Sequence, residues 1–399
     1  MSINESEYSW GDAREFAYSL GEMCAIESAP IDSGDRRVCA EDLVALTDLP
    51  NADSSSMDGW AVSGVGPWTV NRADHIELDH IELDRIELDH IELDHIEPNH
   101  ARTITTGAAL PAGAQAIVRT ENGTLTGTRL ESASASAQDI RRAGEECARG
   151  DLLCPQGTTL HPALIGLLAA TGHDAINVVT QPTVQIIITG GELLTSGLPT
   201  QKFVRDSLGP QLPLWLTRMG AQVLPVLYIT DHLDQISHAI STTKADLVVT
   251  TGGTAASTKD HFKAAIKLAQ GQVLVDGVAV RPGHPMKLAV SQDRKYPIIG
   301  LPGNPLAAVV ALITLAQPII SKMLGQQLPV GVSIPTSQSL KGGKSGSRLV
   351  PGTIENQEFV PALYSGSAML RGLSTSTGFA IVTAPVDAGS TIEFLPLPG

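Results

Sequence analysis

Three apolar runs, VQIIITGGEL (184–193), DLVVTTGGTAAS (246–257) and YPIIGLPGNPLAA (296–308), each break into a glycine-rich turn. In an open parallel α/β sheet such runs are buried strands that finish on one edge. Ligands bind in the crevice outside that edge, where glycine lets the backbone approach a phosphate closely. Two of the turns carry a nearby carboxylate, Glu192 and Asp260. Together they predict a site for a large anionic, phosphate-bearing ligand.

The chain has 399 residues, enough for about two to four domains. Its net charge is -15, but the tract 74–97 holds ten acidic residues and one arginine and so supplies -9 of it. The remainder is mildly acidic and lacks the basic stripe that a nucleic-acid surface needs. A small anion is still a suitable ligand, because local donors and a few cations decide that. Cys24, Cys39, Cys147 and Cys154 form no CxxC pair, so neither a zinc knuckle nor a disulfide framework is expected, and a reducing cytoplasm is. The first sixteen residues show no basic segment followed by an apolar stretch, hence no expected signal peptide. The apolar stretch 306–320 is short and predicts a core helix, with no membrane partner.

Apolar spacing predicts a helix over 9–28, a loop at NADSSSMDG, and short strands at 59–62, 68–70, 103–105 and 116–119. A second helix follows over 163–171, led by Pro162. Strands at 184–188, 222–227, 246–250, 273–275 and 297–300 alternate with helices near 208–219, 232–243, 259–269 and 305–323. The expected fold is therefore multidomain α/β plus β, with a central parallel sheet covered by helices on both faces. Its expected divisions are 1–46 with 142–180 as a split helical and β region, 47–141 as an inserted β-rich domain, 181–326 as the α/β domain, and 327–399 as a C-terminal β domain.

Residues 75–97 read HIELD HIELD RIELD HIELD HIE. A period of five matches neither a helix nor a strand, so no continuous apolar face forms. A solvated insertion is the expected state; a strand extension, or adventitious metal binding by His75, His80, His90 and His95, are the other readings.

Glu192 would project at the ligand edge, or would simply favour a helix dipole. Asp260 could join the ligand or only start a helix. In GLPGNPLAA two prolines bracket Gly303 and Asn304 and pre-set a tight turn before a helix from Pro305. VRPGHPMK places Arg281, His284 and Lys287 beside another Pro-Gly turn, as counter-charges for a pyrophosphate or as an ordinary surface cluster. Asp58 with three serines, Thr106 with Gly107, and Arg141, Arg142, Glu145 and Glu146 sit in further polar turns. No GxSxG, HExxH or GxxxxGK[ST] occurs, which leaves serine-hydrolase, zincin and P-loop chemistry unsupported.

In order, these segments resemble the MoeA-like molybdopterin molybdenumtransferase family, which includes the C-terminal domain of gephyrin. SSSMDGWAV is similar to SAMDGYAV, ITTGAALPAGAQAIV to IMTGAPVPEGADAVV, and RRAGEECARGDLL to RPAGEDIKKGDVL. TGGEL is similar to TGDEL, TGGTAASTKD to SGGVSVGDKD, and GLPGNPLAA to GLPGNPVSA. The resemblance spans about residues 12 to 395. It implies insertion of molybdenum from molybdate into adenylylated molybdopterin, with Mg²⁺-assisted release of AMP, by a homodimer whose clefts are built by both subunits. Other cofactor-biosynthesis proteins are implied as partners, and the C-terminal domain is implied to be barrel-like.

Carried over by motif, the functional positions are Asp58, Thr106, Glu146, Glu192 and Asp260, with Glu192 and Asp260 as Mg²⁺ ligands. Gly190, Gly252, Gly253, Thr254, Arg281, His284 and the turn Pro302, Gly303, Asn304, Pro305 would hold the molybdopterin ligand. A non-catalytic molybdopterin-binding or scaffold paralogue is the alternative. Several positions depart from the family pattern: Gly191 and Glu146 replace Asp, Arg281 and His284 replace Lys, and Ala255, Ser257 and Thr258 replace Ser, Gly and Asp. Pro351 stands where a basic residue is usual, and whether Arg348 compensates is open.

Overall fold

The computed structural model describes residues 7–70, 95–230, 232–252, 261–292, 296–343 and 346–399. Helix Trp10–Ser19 opens on Ser9, whose hydroxyl accepts the Asp12 N–H at 3.2 Å. It is half the length that apolar spacing predicts. Gly21 explains the stop, because a methyl there would stand 2.6 Å from Lys322 Cβ and 2.7 Å from the Ile319 carbonyl. The chain turns against a second helix at this contact, and Ile26–Pro30 becomes a strand paired with Ala175–Val179.

Six strands form the sheet of the 59–132 region, in the order Gly123–Thr126, Arg129–Ser132, Trp68–Val70, His100–Ile104, Gly59–Val62, Ala116–Arg119. Gly59 pairs with Ile104 in antiparallel register. The residues just outside that pair, Asp58 before one strand and Thr106 after the other, are therefore neighbours. Of the HIELD tract, residues 75–94 lie outside the described residues. The last copy is not a solvated insertion: Ile96 is 5% exposed, packs with Ile104, Leu110 and Ile117, and donates its N–H to the Ala112 carbonyl.

In the central sheet, strand Leu227–Ile229 with its short continuation Gln222–Val223 flanks Thr183–Thr189, followed by Leu247–Thr251, Pro297–Leu301, Lys287–Val290 and Gln272–Asp276. The pairings as far as Pro297–Leu301 are parallel and the last two are antiparallel, with Lys287–Val290 running against the others, so the sheet is mixed and not parallel throughout. Chain length explains this, since residues 291–296 are too few for the crossover that a parallel neighbour requires.

Side chains alternate between two cores. Ile186, Ile188, Val249 and Leu301 pack with helix Leu208–Arg218, with Trp10 and Ala13, and with helix Pro305–Met323. On the opposite face Ile187, Val248 and Ile298 pack with Ile236, Ile240, Phe262 and Ile266 from helices Leu233–Thr242 and His261–Leu268. Helix Pro305–Met323 is long and apolar enough to cross a membrane, yet 89% of its most apolar window is buried, as the core-helix reading expects.

The first strand of this unit, Thr183–Thr189, has the second on one side and the third on the other. The chain order reverses there, which opens a crevice between Thr183–Thr189 and Leu247–Thr251 at their carboxyl ends.

The C-terminal sheet joins Val332–Pro335, Thr391–Pro396, Gly378–Val382, Ser347–Glu355 and Glu358–Pro361, and a bridge from Thr336 to Phe359 closes it into a small barrel. Val278–Arg281 and Tyr8–Ser9 extend this sheet from distant parts of the chain.

Candidate active site

All three glycine-rich corners lie on one edge. The Thr189 hydroxyl donates to the Thr251 carbonyl at 2.5 Å, the Thr189 N–H to the Thr251 hydroxyl at 3.3 Å, and the Gly252 N–H to the Leu301 carbonyl at 3.2 Å. Gly190 (φ +141°) and Gly252 (φ +78°) adopt backbone conformations that other residues rarely reach, and a methyl on Gly252 would stand 2.8 Å from the Thr189 hydroxyl. A methyl on Gly190 would meet both Glu192 carboxylate oxygens at 3.2 Å, so the glycine leaves room for that carboxylate.

Glu192 is exposed, and its carboxylate has no hydrogen-bond or ion-pair partner among the described residues. Hard oxygen donors of this kind suit Mg²⁺, which takes one or two carboxylates alongside substrate phosphates. No group of three or more His, Cys, Asp or Glu side chains forms a metal cage among the described residues. Asp260, Gly253 and Thr254 lie outside them.

Beside this edge is a cleft of about 900 Å³ lined by Arg281, His284, Lys341, Arg348, Pro302, Asn304, Ser365 and Ser367, among others, with no carboxylate among its lining residues. Arg281 and Arg348 are register partners on neighbouring parallel strands, which places both guanidiniums at its wall. His284 sits in the turn after Arg281, and its Nε2 pairs with Glu7 at 2.5 Å. Apart from Glu7 at His284, no carboxylate offsets the cations of this concave site, and positive charge so concentrated favours an anion.

One expectation fails here. Lys287 is 5% exposed, and its ammonium pairs with Asp276, as does that of Lys263, so it does not belong to the Arg281 cluster. Burial opposes the charge on Asp276, but hydrogen bonds from the two lysines outweigh it and hold the carboxyl below its usual range. The N–H groups of Leu306 and Ala307, in the first turn of helix Pro305–Met323, are taken up within the chain. The Ser367 carbonyl accepts those of Leu306 (3.0 Å) and Ala307 (3.2 Å), and the Asn304 amide donates to the Ser367 hydroxyl at 3.3 Å. Pro302 and Asn304 line the cleft while Gly303 and Pro305 do not, so the turn contributes surface and side chains. Lys341, Ser365 and Ser367 escaped the sequence reading; the basic, glycine-rich KGGKSGSR stretch was a usable signal for Lys341 alone among them. Pro351 is buried, and Arg348 lines the cleft with Lys341 as cations of the C-terminal region.

Asp58 and Thr106 meet as their strands dictate. The Asp58 carboxylate accepts the Thr106 N–H at 2.7 Å and its hydroxyl at 2.9 Å, in that order of effect holding its pKa below the ordinary carboxylate value. Gly59 fixes this corner, since a methyl there would lie 2.0 Å from the Val118 carbonyl. Glu146 is exposed in the 142–151 turn, its N–H bonded to the Leu49 carbonyl. In that turn Arg142 pairs with Asp53 at 2.5 Å, which is a structural use of the charge. None of Asp58, Thr106 and Glu146 lines the cationic cleft of the same chain.

Two family models match the chain, "MoeA N-terminal region (domain I and II)" over residues 9–172 and "Probable molybdopterin binding domain" over residues 185–322. A molybdopterin molybdenumtransferase of Haemophilus influenzae is 30% identical over 302 residues, covering 73% of this chain and 71% of the relative. One of Synechococcus elongatus is 29% identical over 385 residues, covering 92% and 94%. In fold, the molybdopterin biosynthesis moeA protein of Pyrococcus horikoshii superposes with a TM-score of 0.74 at 19% identity, over 98% of this chain and all of that one. Matched by both models and by relatives across most of their length, the chain belongs to the MoeA-like molybdopterin molybdenumtransferase family of enzymes.

Proposed function

We propose that this protein acts in molybdenum cofactor biosynthesis, inserting molybdenum from molybdate into adenylylated molybdopterin with Mg²⁺-dependent release of AMP, as a cytoplasmic homodimer. The observation that carries this reading is the meeting of three glycine corners with a carboxylate-free cationic cleft on one sheet edge. The substrate's chemistry asks for that combination: a phosphoanhydride needs close backbone approach, and molybdate is a small dianion needing fixed positive charge.

Arg281, Arg348 and Lys341 hold the oxyanion groups. Glu192 and Asp260 would hold Mg²⁺ through carboxylate oxygens, and the bound ion would supply charge neutralisation at the phosphoanhydride. Asp58, kept ionised by Thr106, accepts hydrogen bonds from waters around the molybdate end, together with Glu146. Because neither lines the cleft of its own chain, each cleft draws Asp58 and Thr106 from the second subunit. Molybdenum is captured by the ligand's own thiolates, so no protein nucleophile is needed.

One observation favours a second reading. Gly191 leaves Glu192 as the one carboxylate in the TGGEL corner, where the family pattern has two acids. A chain so altered would bind molybdopterin without turning it over. Purified protein given adenylylated molybdopterin, molybdate and Mg²⁺ decides the matter: AMP release supports the transferase, and tight binding without AMP the carrier or scaffold.

A further inference from the structure

Glu192 stands in the loop from strand Thr183–Thr189 to helix Leu208–Arg218, and a single buried carboxylate ties that loop down. Asp206 is 5% exposed. One of its oxygens accepts the N–H groups of Leu208 (2.9 Å) and Gly209 (3.0 Å), and the other accepts Gly209 (3.2 Å) and the Tyr228 hydroxyl (3.1 Å). The Asp206 N–H donates to the Leu194 carbonyl at 2.9 Å, and the Val204 N–H to the Glu192 carbonyl at 2.9 Å. Tyr228 lies in strand Leu227–Ile229, in which Ile229 pairs with Thr189, the residue before Gly190. One side chain thus joins the far end of the loop, the start of a helix and the strand beside the glycine corner.

Gly209 is an independent sign that this cluster is built for its shape. A methyl there would stand 2.2 Å from both Asp206 Oδ2 and the Tyr228 oxygen, so a residue that weakens helices is required in the first turn. The adjacent Ser207 makes no side-chain cap bond, which leaves the capping to Asp206.

We propose that Asp206 is a positioning residue for Glu192: by fastening the 193–205 loop to the helix start and to Tyr228, it sets where the Glu192 carboxylate stands at the crevice. It touches no reacting atom and acts through the loop. The catalytic part of this claim rests on Glu192 serving the metal as proposed above; the fastening itself does not.

The test uses Tyr228→Phe, Asp206→Asn and the control Ser207→Ala in the full chain. Backbone amide exchange over 193–205 should accelerate by about tenfold in the first two and stay unchanged in the third. In AMP release, kcat should fall by about 10-fold or more with KM within about threefold, and the Mg²⁺ concentration for half-maximal rate should rise. A helix cap without a positioning role would lower the melting temperature and leave kcat and the Mg²⁺ response of the folded enzyme alone, which would overturn the proposal. Unchanged exchange over 193–205 would overturn it too. If Asp206→Asn does not fold, Tyr228→Phe decides, because it removes a hydroxyl and no charge. Absence of AMP release from the unaltered protein would defeat the functional reading, and the exchange data would still judge the fastening.

Discussion

Arg281 and Arg348 face each other in register across two parallel strands, one from the centre of the chain and one from its C-terminal sheet. Like charges directly opposite destabilise a sheet by roughly 0.2–1 kcal/mol, and the lining of their cleft contains no acid to relieve it. An anion seated between the two guanidiniums would relieve the repulsion. Arg348→Gln is therefore expected to leave the ligand-free melting temperature unchanged or slightly raised. Molybdate at a hundred times its Kd should stabilise the unaltered protein by about 2.7 kcal/mol and the variant far less. Thermal melts with and without molybdate measure both; equal stabilisation of the two proteins would place the anion elsewhere.

Asp58 and Arg281 belong to different parts of one cleft only if two subunits share it. Asp58→Asn and Arg281→Ala, each inactive alone by about 10²-fold or more, should complement when mixed under conditions that exchange subunits. Half of a random mixture is heterodimer with one intact cleft of two, so about a quarter of full activity should return. No recovery in AMP release, with subunit exchange verified by differently tagged chains, would confine the site to one chain.

The Asp58 loop has its own electrostatic anchor. Arg119 grips Asp139 through two bonds, Nε to Oδ2 at 2.9 Å and Nη2 to Oδ1 at 2.7 Å, and the Asp139 carbonyl accepts the Ser56 N–H two residues before Asp58. The hydrogen bond from Arg119 is the main reason the Asp139 carboxyl lies below its ordinary value. A depressed folded-state pKa contributes stability fully above the unfolded value of about 3.9, and that stability is lost as pH falls through the lower folded value. Asp139→Asn should thus destabilise by about 1–2 kcal/mol at pH 7, with half-exposed Arg119 screening the pair. The difference should shrink below about pH 4. Chemical unfolding at pH 7 and pH 3.5 tests the sign; a pH-independent difference would mean that only packing was lost.

What the chain discloses before folding follows from how local each interaction is. Strands 183–189, 247–251 and 297–301 are legible as apolar runs, and the ends of the first two leave a compositional trace because Gly190 and Gly252 take φ values that other residues rarely reach. Asp58 and Thr106 are legible as polar turns. The failures are tertiary. The helix predicted over 9–28 stops at Ser19 because Gly21 must clear Lys322, a contact across most of the chain. Lys287 looks like a partner of Arg281 by proximity in sequence, yet strand alternation and Asp276 take it into the interior. Arg348 lines the cleft because Val278–Arg281 leaves the central unit to pair with Ser347–Glu355, a tertiary pairing that the basic KGGKSGSR composition cannot locate.

The HIELD tract offers the sharpest boundary between decoration and core. Val70, 1% exposed, and Ile96, 5% exposed, are buried on either side of the repeat, while a period of five gives the copies between them no apolar face to add. Deleting 75–94, four whole copies, keeps both anchors and leaves residues 71–74 and His95 to join them. Melting temperature and AMP release should stay nearly unchanged. Extending the deletion through 97 removes Ile96 from its contacts with Ile104, Leu110 and Ile117 and should cost about 2–5 kcal/mol, the usual range for emptying a buried isoleucine site. Activity should fall with it, because Ile104 belongs to the strand that delivers Thr106 to Asp58. Two deletions differing by three residues would then behave as opposites; equal damage from both would show that the repeat itself supports the β-rich region.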